Sequence, residues 1–338
     1  MTGALSNEPL WYQLLIAVIK ASVLMGALLG VTGWLVLAER KIIAWLQGRP
    51  GPNRAGPMGL FQPVADVLKL LTKEESIPPF VNKILFIAAP AIITITAMVS
   101  YAIIPWGPNP VWGAISNLNL GVLLFLALSS LGVYSIVLAG WSSNSKYAVL
   151  GGLRATAQMI SYELSLSMAL LAAVMMAGTL NFQLIVEAQR PFWFILLQPL
   201  GFFIFFVSAI AESRRTPFDL PEAENELVAG FHTEYSAMKF ALFFLGEYMG
   251  VILLSGIMAT VYLGGYQGPI LPGPVWMILK IAVLFFVFVW IRATYPRFRY
   301  DHLMQIGWKW LIPLAVLNLI ITAVLCLTFP NLVPNAIH

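Results

Sequence analysis

The sequence predicts an all-α polytopic membrane protein, about eight transmembrane helices with a short amphipathic surface helix. Three observations predict it. Of the 338 residues, 59% are hydrophobic and only 10% charged, where soluble domains carry about 25% charged residues. Apolar segments of roughly 20 residues, enough to span a bilayer, recur along the chain. Lys and Arg gather almost entirely in alternate gaps between those segments.

The spans read as 10–38, 83–105, 118–140, 153–177, 194–212, 237–263, 275–293 and 307–329, with Pro and Gly punctuating the gaps at Pro105 to Pro110, Gly264 to Pro274 and Pro296. No tandem repeat or low-complexity tract divides residues 1–338, so they read as a single membrane domain. The first run is longer than a signal-peptide core and is preceded by Glu8 rather than by Lys or Arg, so it reads as the first membrane helix. An even number of spans puts both termini on one side. The loops after spans 1, 3, 5 and 7, with the adjoining helix ends, hold 16 of the 19 Lys and Arg residues. Basic loops stay in the cytoplasm, so the termini are expected outside. Lys20 and Lys280 lie within spans and are expected to snorkel outward. The basic residues are too few and too scattered for nucleic acid.

The first cytoplasmic loop, 39–82, opens with Glu39-Arg40-Lys41. It continues through Gln47-Gly-Arg-Pro-Gly-Pro-Asn-Arg-Ala-Gly-Pro-Met-Gly59, too rich in Gly and Pro for a helix. In the following Gln62 to Thr72 segment, Val64, Val67, Leu68 and Leu71 recur at helical spacing, with Asp66, Lys69 and Lys73 largely off that stripe, as in a short amphipathic helix. Two readings fit: a surface anchor, or one wall of a cavity for an amphiphilic ligand, with Arg and Lys at the lip and Trp45 and Phe61 inside.

The second notable loop, 212–236, holds Glu212, Asp219, Glu222, Glu224 and Glu226 within one short stretch, followed by Glu234. Asp219-Leu-Pro-Glu222 suits a capped helix start. The cluster reads either as a solvated acidic loop with ion pairs to Arg214 and Arg215, or as mutually repelling carboxylates that hold and release protons near neutral pH. Two further carboxylates lie about ten residues into spans, Glu163 in Ile160-Ser-Tyr-Glu-Leu-Ser165 and Glu247 in Gly246-Glu-Tyr-Met-Gly250. Each is expected roughly 15 Å below the cytoplasmic face, where a charge is costly. Such a residue is either a neutral interhelical tie or part of a proton relay. Two at similar depth, beneath an acidic loop, favour the relay.

Other chemistries are absent. There is no Gly-x-Gly-x-x-Gly or phosphate-binding loop. His232, His302 and His338 lack metal-ligand spacing, and the lone Cys326 can form neither an internal disulfide nor a cluster site. No catalytic group or redox centre held by this chain alone is expected.

Several motifs together are specific. Glu39-Arg-Lys, Gly48-Arg-Pro-Gly-Pro-Asn-Arg54 with Gln62-Pro-x-Ala-Asp66, and Arg215-Thr-Pro-Phe-Asp-Leu-Pro-Glu-Ala-Glu224 through Glu226-Leu-Val-Ala-Gly-Phe-His-Thr-Glu-Tyr235 resemble the H-type membrane component (NuoH) of respiratory complex I, the proton-pumping NADH:quinone oxidoreductase. Gly140-Trp-Ser-Ser-Asn144, Arg154-x-x-Ala-Gln-x-x-Ser-Tyr-Glu163 and Arg292-Ala-x-x-Pro-Arg297 extend the likeness over nearly the whole chain. Asn225 and Ala237 depart from it mildly, standing where Ser or Gln, and Gly, are expected.

The resemblance implies a bacterial inner-membrane subunit, termini periplasmic, that joins the membrane arm of the complex to its hydrophilic arm. It implies that quinone is the substrate, in a chamber shared with neighbouring subunits. Arg40, Arg49, Asp66, Lys69 and Phe231 would line that chamber, with Trp45 and Phe61 as the apolar contacts. Glu163, Glu212, Asp219, Glu222, Glu224 and Glu247 would carry the proton coupling. NADH, FMN and the iron–sulfur clusters would belong to partner subunits. The alternatives are a subunit of a related membrane-bound hydrogenase, a stand-alone proton-linked transporter, which the lack of an inverted repeat disfavours, and a purely structural anchor.

Overall fold

The computed structural model describes residues 9–108, 113–220 and 228–328. Helix α1 (Leu10–Leu46) leads to the surface helix α2 (Gln62–Thr72), then α3 (Lys83–Ser100), α4 (Gly121–Ser142) and α5 (Lys146–Ala177). The short α6 (Phe182–Ala188) and α7 (Phe194–Leu197) precede α8 (Pro199–Glu212), α9 (Ala237–Tyr262) and α10 (Gly273–Thr294). Finally α11 (Tyr300–Gln305) runs through a π-helical turn, Ile306–Leu311, into α12 (Ile312–Thr328). Among the described residues, seven helical stretches are long and apolar enough to cross a membrane.

The fifth expected span, 194–212, is broken. Pro199 has no N–H to give and disfavours helix at the residue before it. Gln198 accordingly leaves the helical region (φ −131°, ψ 59°) and separates α7 from α8. Its amide donates to the Ala172 carbonyl at 3.1 Å and to Thr322 Oγ1 at 2.8 Å. The 14 residues of α8 cover about 21 Å, and they run antiparallel along α5. Ser165 and Ser208 share a 2.8 Å hydrogen bond, and Gln158 Nε2 donates to Ala211 O at 2.8 Å.

Some helices run beyond the sequence reading. With no Gly or Pro between Gly33 and Gly48, α1 continues to Leu46, so Glu39, Arg40 and Trp45 sit on a helix rather than in a loop. Helix α5 begins at Lys146, ahead of residue 153, because Gly151 and Gly152 serve as contact surfaces: a Cβ on Gly151 would come 2.7 Å from Gly230, and one on Gly152 3.3 Å from Gly140. Glu163 is therefore roughly 25 Å along α5, deeper than expected.

Packing is uneven. In α9, 61% of the most apolar window is buried; in α1 only 11% is. Lys280, expected to snorkel outward, is instead buried in protein. Its ammonium donates to the carbonyls of Leu263, Gly265 and Gln267 at 2.6–2.8 Å and lies 4.6 Å from the Trp193 ring centroid.

A buried charge network beneath an exposed corner

The last turns of α1 and the loop behind them form an exposed corner. Arg40 pairs with Asp66 at 3.0 Å, and Gln62 holds the other Asp66 oxygen at 3.1 Å. Lys41 donates to the Met58 carbonyl at 2.5 Å, closing the loop back on α1. Two glycines make that loop possible. Gly56 (φ +75°) and Gly59 (φ +76°) adopt left-handed backbone, and a Cβ at Gly59 would stand 2.1 Å from the Pro52 carbonyl oxygen. Trp45, Phe61, Val64, Val67, Leu68 and Leu71 are all exposed, as are Arg49 and Lys69. The apolar stripe of α2 thus faces away from the protein. Phe231 lies apart from this corner, fully buried against Phe243 at 5.4 Å between centroids, in a core cluster with α3, α4 and α5.

Behind the corner lies a buried network. Glu39, only 2% exposed, accepts two bonds from Arg215 Nη1 at 2.8 and 2.9 Å and another from Arg292. Arg215 Nε also lies 2.7 Å from a Glu247 oxygen, as a charge contact whose N–H is not aligned for a hydrogen bond. The guanidinium stands 4.2 Å from the Tyr248 ring centroid. Burial works against the charge on Arg215, but Glu247 and Glu39 outweigh it and hold the group protonated. Two arginines and two glutamates from α1, α9, α10 and the loop after α8 thus neutralise one another.

A second pair is held by neighbouring serines of α4. Ser129 donates to Glu212 and Ser130 to Glu163, each at 2.5 Å. The sequence reading put Glu212 in the acidic loop; it is the last residue of α8 and faces inward. A cavity of about 80 Å³ joins the two groups, with Ser129, Glu212, Arg214 and Glu247 in its wall. A buried water needs about 10–15 Å³, so the cavity has room for several. Asp219 pairs with Arg297 at 3.0 Å, while its other oxygen is buried without a hydrogen-bond partner among the described residues. Burial raises its carboxyl above the ordinary range and Arg297 opposes this. Glu222 and Glu224, and the expected helix start at Asp219, involve residues outside those described.

The structure therefore gathers Glu163, Glu212 and Glu247 around one polar interior. Among the described residues it gives Arg215 to Glu39 and Glu247. Sequence reasoning did not single out Glu39, Arg215, Arg292, Ser129 or Ser130 as site residues. The first three sit at predicted span ends, where charges read as orientation signals; the serines have no signal beyond their adjacency.

The sequence profile of the NADH dehydrogenase family matches residues 19–323. The second of the numbered NADH-quinone oxidoreductase H subunits of Syntrophobacter fumaroxidans is 51% identical over 314 residues, covering 91% of this chain and 95% of that one. Its counterpart in Geobacter sulfurreducens is 52% identical over 309 residues, with 90% and 94% covered. The H subunit of Rhodospirillum centenum is 49% identical over 323 residues, with 93% and 95% covered. The chain belongs to the H-subunit family of NADH-quinone oxidoreductase. It is a multi-pass membrane component of complex I. The exposed corner and the buried network are therefore parts of a component of an oxidoreductase assembly, which rules out a lone transporter.

Proposed function

We propose that this subunit forms one wall of the quinone chamber with its exposed corner and couples quinone reduction to proton movement through its buried carboxylates. At the corner, Arg40, Arg49, Asp66 and Lys69 would meet the polar headgroup side, and Trp45 and Phe61 the apolar remainder of the quinone. Phe231 would support the chamber from behind. The observation that carries the reading is the water-sized cavity running from Glu212, beside Glu163, to Glu247, which is linked through Arg215 to Glu39 on the corner helix. Side-chain and water contacts of this kind move protons without a redox centre. Asp219, Glu222 and Glu224 would extend the path towards the surface. Quinone is the substrate; FMN and the iron–sulfur clusters sit in partner subunits of the hydrophilic arm. The subunit lies in the bacterial inner membrane beside other membrane-arm subunits, its termini periplasmic, and residues 39–82 and 212–236 form the cytoplasmic face of its single domain.

Two measurements on the assembled complex test this. A photoreactive quinone analogue should label the segment between residues 40 and 69; labelling that never touches it removes the chamber. Glu163→Gln and Glu247→Gln should each lower proton pumping per NADH oxidised; unchanged pumping in both removes the path.

A further inference from the structure

The cavity between Glu212 and Glu247 has a third charged wall. Arg214 is only 5% exposed, and its Nε and Nη1 have no hydrogen-bond partner among the described residues. Its guanidinium stands 5.2 Å from the Phe231 ring centroid, a contact that stabilises a cation but uses none of its N–H groups. Its backbone is left-handed at φ +54°, a conformation that non-glycine residues adopt rarely and that clusters at functional sites. Buried guanidinium N–H groups without partners are unfavourable unless something else satisfies them. In the same cavity Glu212 presents an oxygen, Oε2, that is also buried and unpartnered. Among the described residues, unpartnered donors and an unpartnered acceptor thus line one space large enough for water.

We propose that Arg214 is a positioning residue for proton exchange between Glu212 and Glu247, its N–H groups ordering the cavity water between them. This rests on the proton-path reading above. Among the described residues the groups facing it are few. Helix α8 supplies Glu212 and α9 supplies Glu247, which Arg215 already holds. Helix α5 supplies Glu163, tied to Ser130 and electrostatically coupled to Glu212. His232, packed edge-on against Phe231, is pushed down to about 4 by burial and by Arg214. It is neutral at physiological pH, so among the described residues Arg214 and Arg215 are the cations at this site. Arg215 is paired with two glutamates, and Arg214 is the cation whose unpartnered N–H groups line the cavity.

The test uses the assembled complex in proteoliposomes, with R214Q, R214M and R214K, and with E212Q and E247Q as controls on the path. The readouts are protons pumped per NADH and the kcat and KM of quinone reduction. R214Q and R214M should lower the pumping ratio at least two-fold, with quinone KM unchanged and R214K restoring the ratio. Wild-type pumping in R214Q and R214M, while E212Q and E247Q lose pumping, would overturn the role of Arg214 alone. Full pumping in E212Q and E247Q would overturn the path itself. Failure of both neutral variants to assemble, with R214K intact, would make Arg214 structural and overturn the proposal.

Discussion

The corner around Arg40 and the network around Glu39 differ by one residue in sequence and by almost everything in environment. Arg40 turns out of α1 and pairs with Asp66, its side chain 46% exposed. Glu39 turns inward and is sealed between Arg215 and Arg292. One face of a helix end opens on an exposed surface; the other serves an interior whose charges must balance. An exposed pair contributes little because water competes for both partners and side-chain entropy is lost. A buried pair contributes modestly when whole, but breaking it strands a charge. The two regions should therefore respond oppositely: the network in stability and pumping, the corner in quinone affinity.

The largest effect is expected at Arg215. Arg215→Met leaves Glu247 without its cation and Glu39 with only Arg292, a loss of about 3–5 kcal/mol by analogy with other broken buried pairs. Thermal unfolding of the purified complex should show it as a large fall in Tm or a failure to assemble; a wild-type Tm would erase the contrast. Next come the serine hydroxyls. A hydrogen bond to a charged group is worth about 1.5–3 kcal/mol, so Ser129→Ala and Ser130→Ala should each lower stability by an amount of that order and reduce pumping more than electron transfer. A variant that slowed both equally would separate the serines from proton movement.

At the corner, Arg40→Ala should cost only about 0–1 kcal/mol of stability while raising quinone KM several-fold in steady-state assays. A destabilisation as large as that of Arg215→Met would mean that the corner is structural. The smallest effect is one of pH. The His232 imidazole titrates near 4 in the fold against an ordinary 6.5, because burial and then Arg214 disfavour its charge. The unfolded chain therefore binds this proton first, and the stability contributed is present above about 6.5 and is lost as pH falls towards 4. Between those values the Tm of His232→Gln should decline less steeply than that of the wild type.

The sequence showed much of the corner because its signals are local. Gly56 and Gly59 marked a shaped loop, and the spacing of Val64, Val67, Leu68 and Leu71 marked α2. The network was less legible. Glu163 and Glu247 stood out because a carboxylate inside an apolar span is costly, which any hydropathy reading detects. Glu39 did not: the predicted span stopped at residue 38, and nothing local says that α1 continues to Leu46 and turns Glu39 inward. Glu212 read as part of an acidic loop, and only the antiparallel register of α8 on α5 sets it beside Ser129. Lys280 read as a snorkelling residue, and only the fold of the Leu263–Gln267 turn shows the three carbonyls that receive it.

By itself the sequence determined that this protein lives in lipid, which loops are basic, which stretch is amphipathic and which carboxylates need a reason to be buried. Those are properties of composition and spacing along one chain, and solvent selects on them directly. Tertiary structure alone decided who faces whom. Residues 39, 215, 247 and 292 meet, residues 129 and 212 meet, and Arg214 opens on the water-sized space between Glu212 and Glu247, because helix packing brings together positions up to 253 residues apart. Partners at that separation leave no periodic trace, since charge balance in a low-dielectric interior is a property of the packed bundle and not of any one segment.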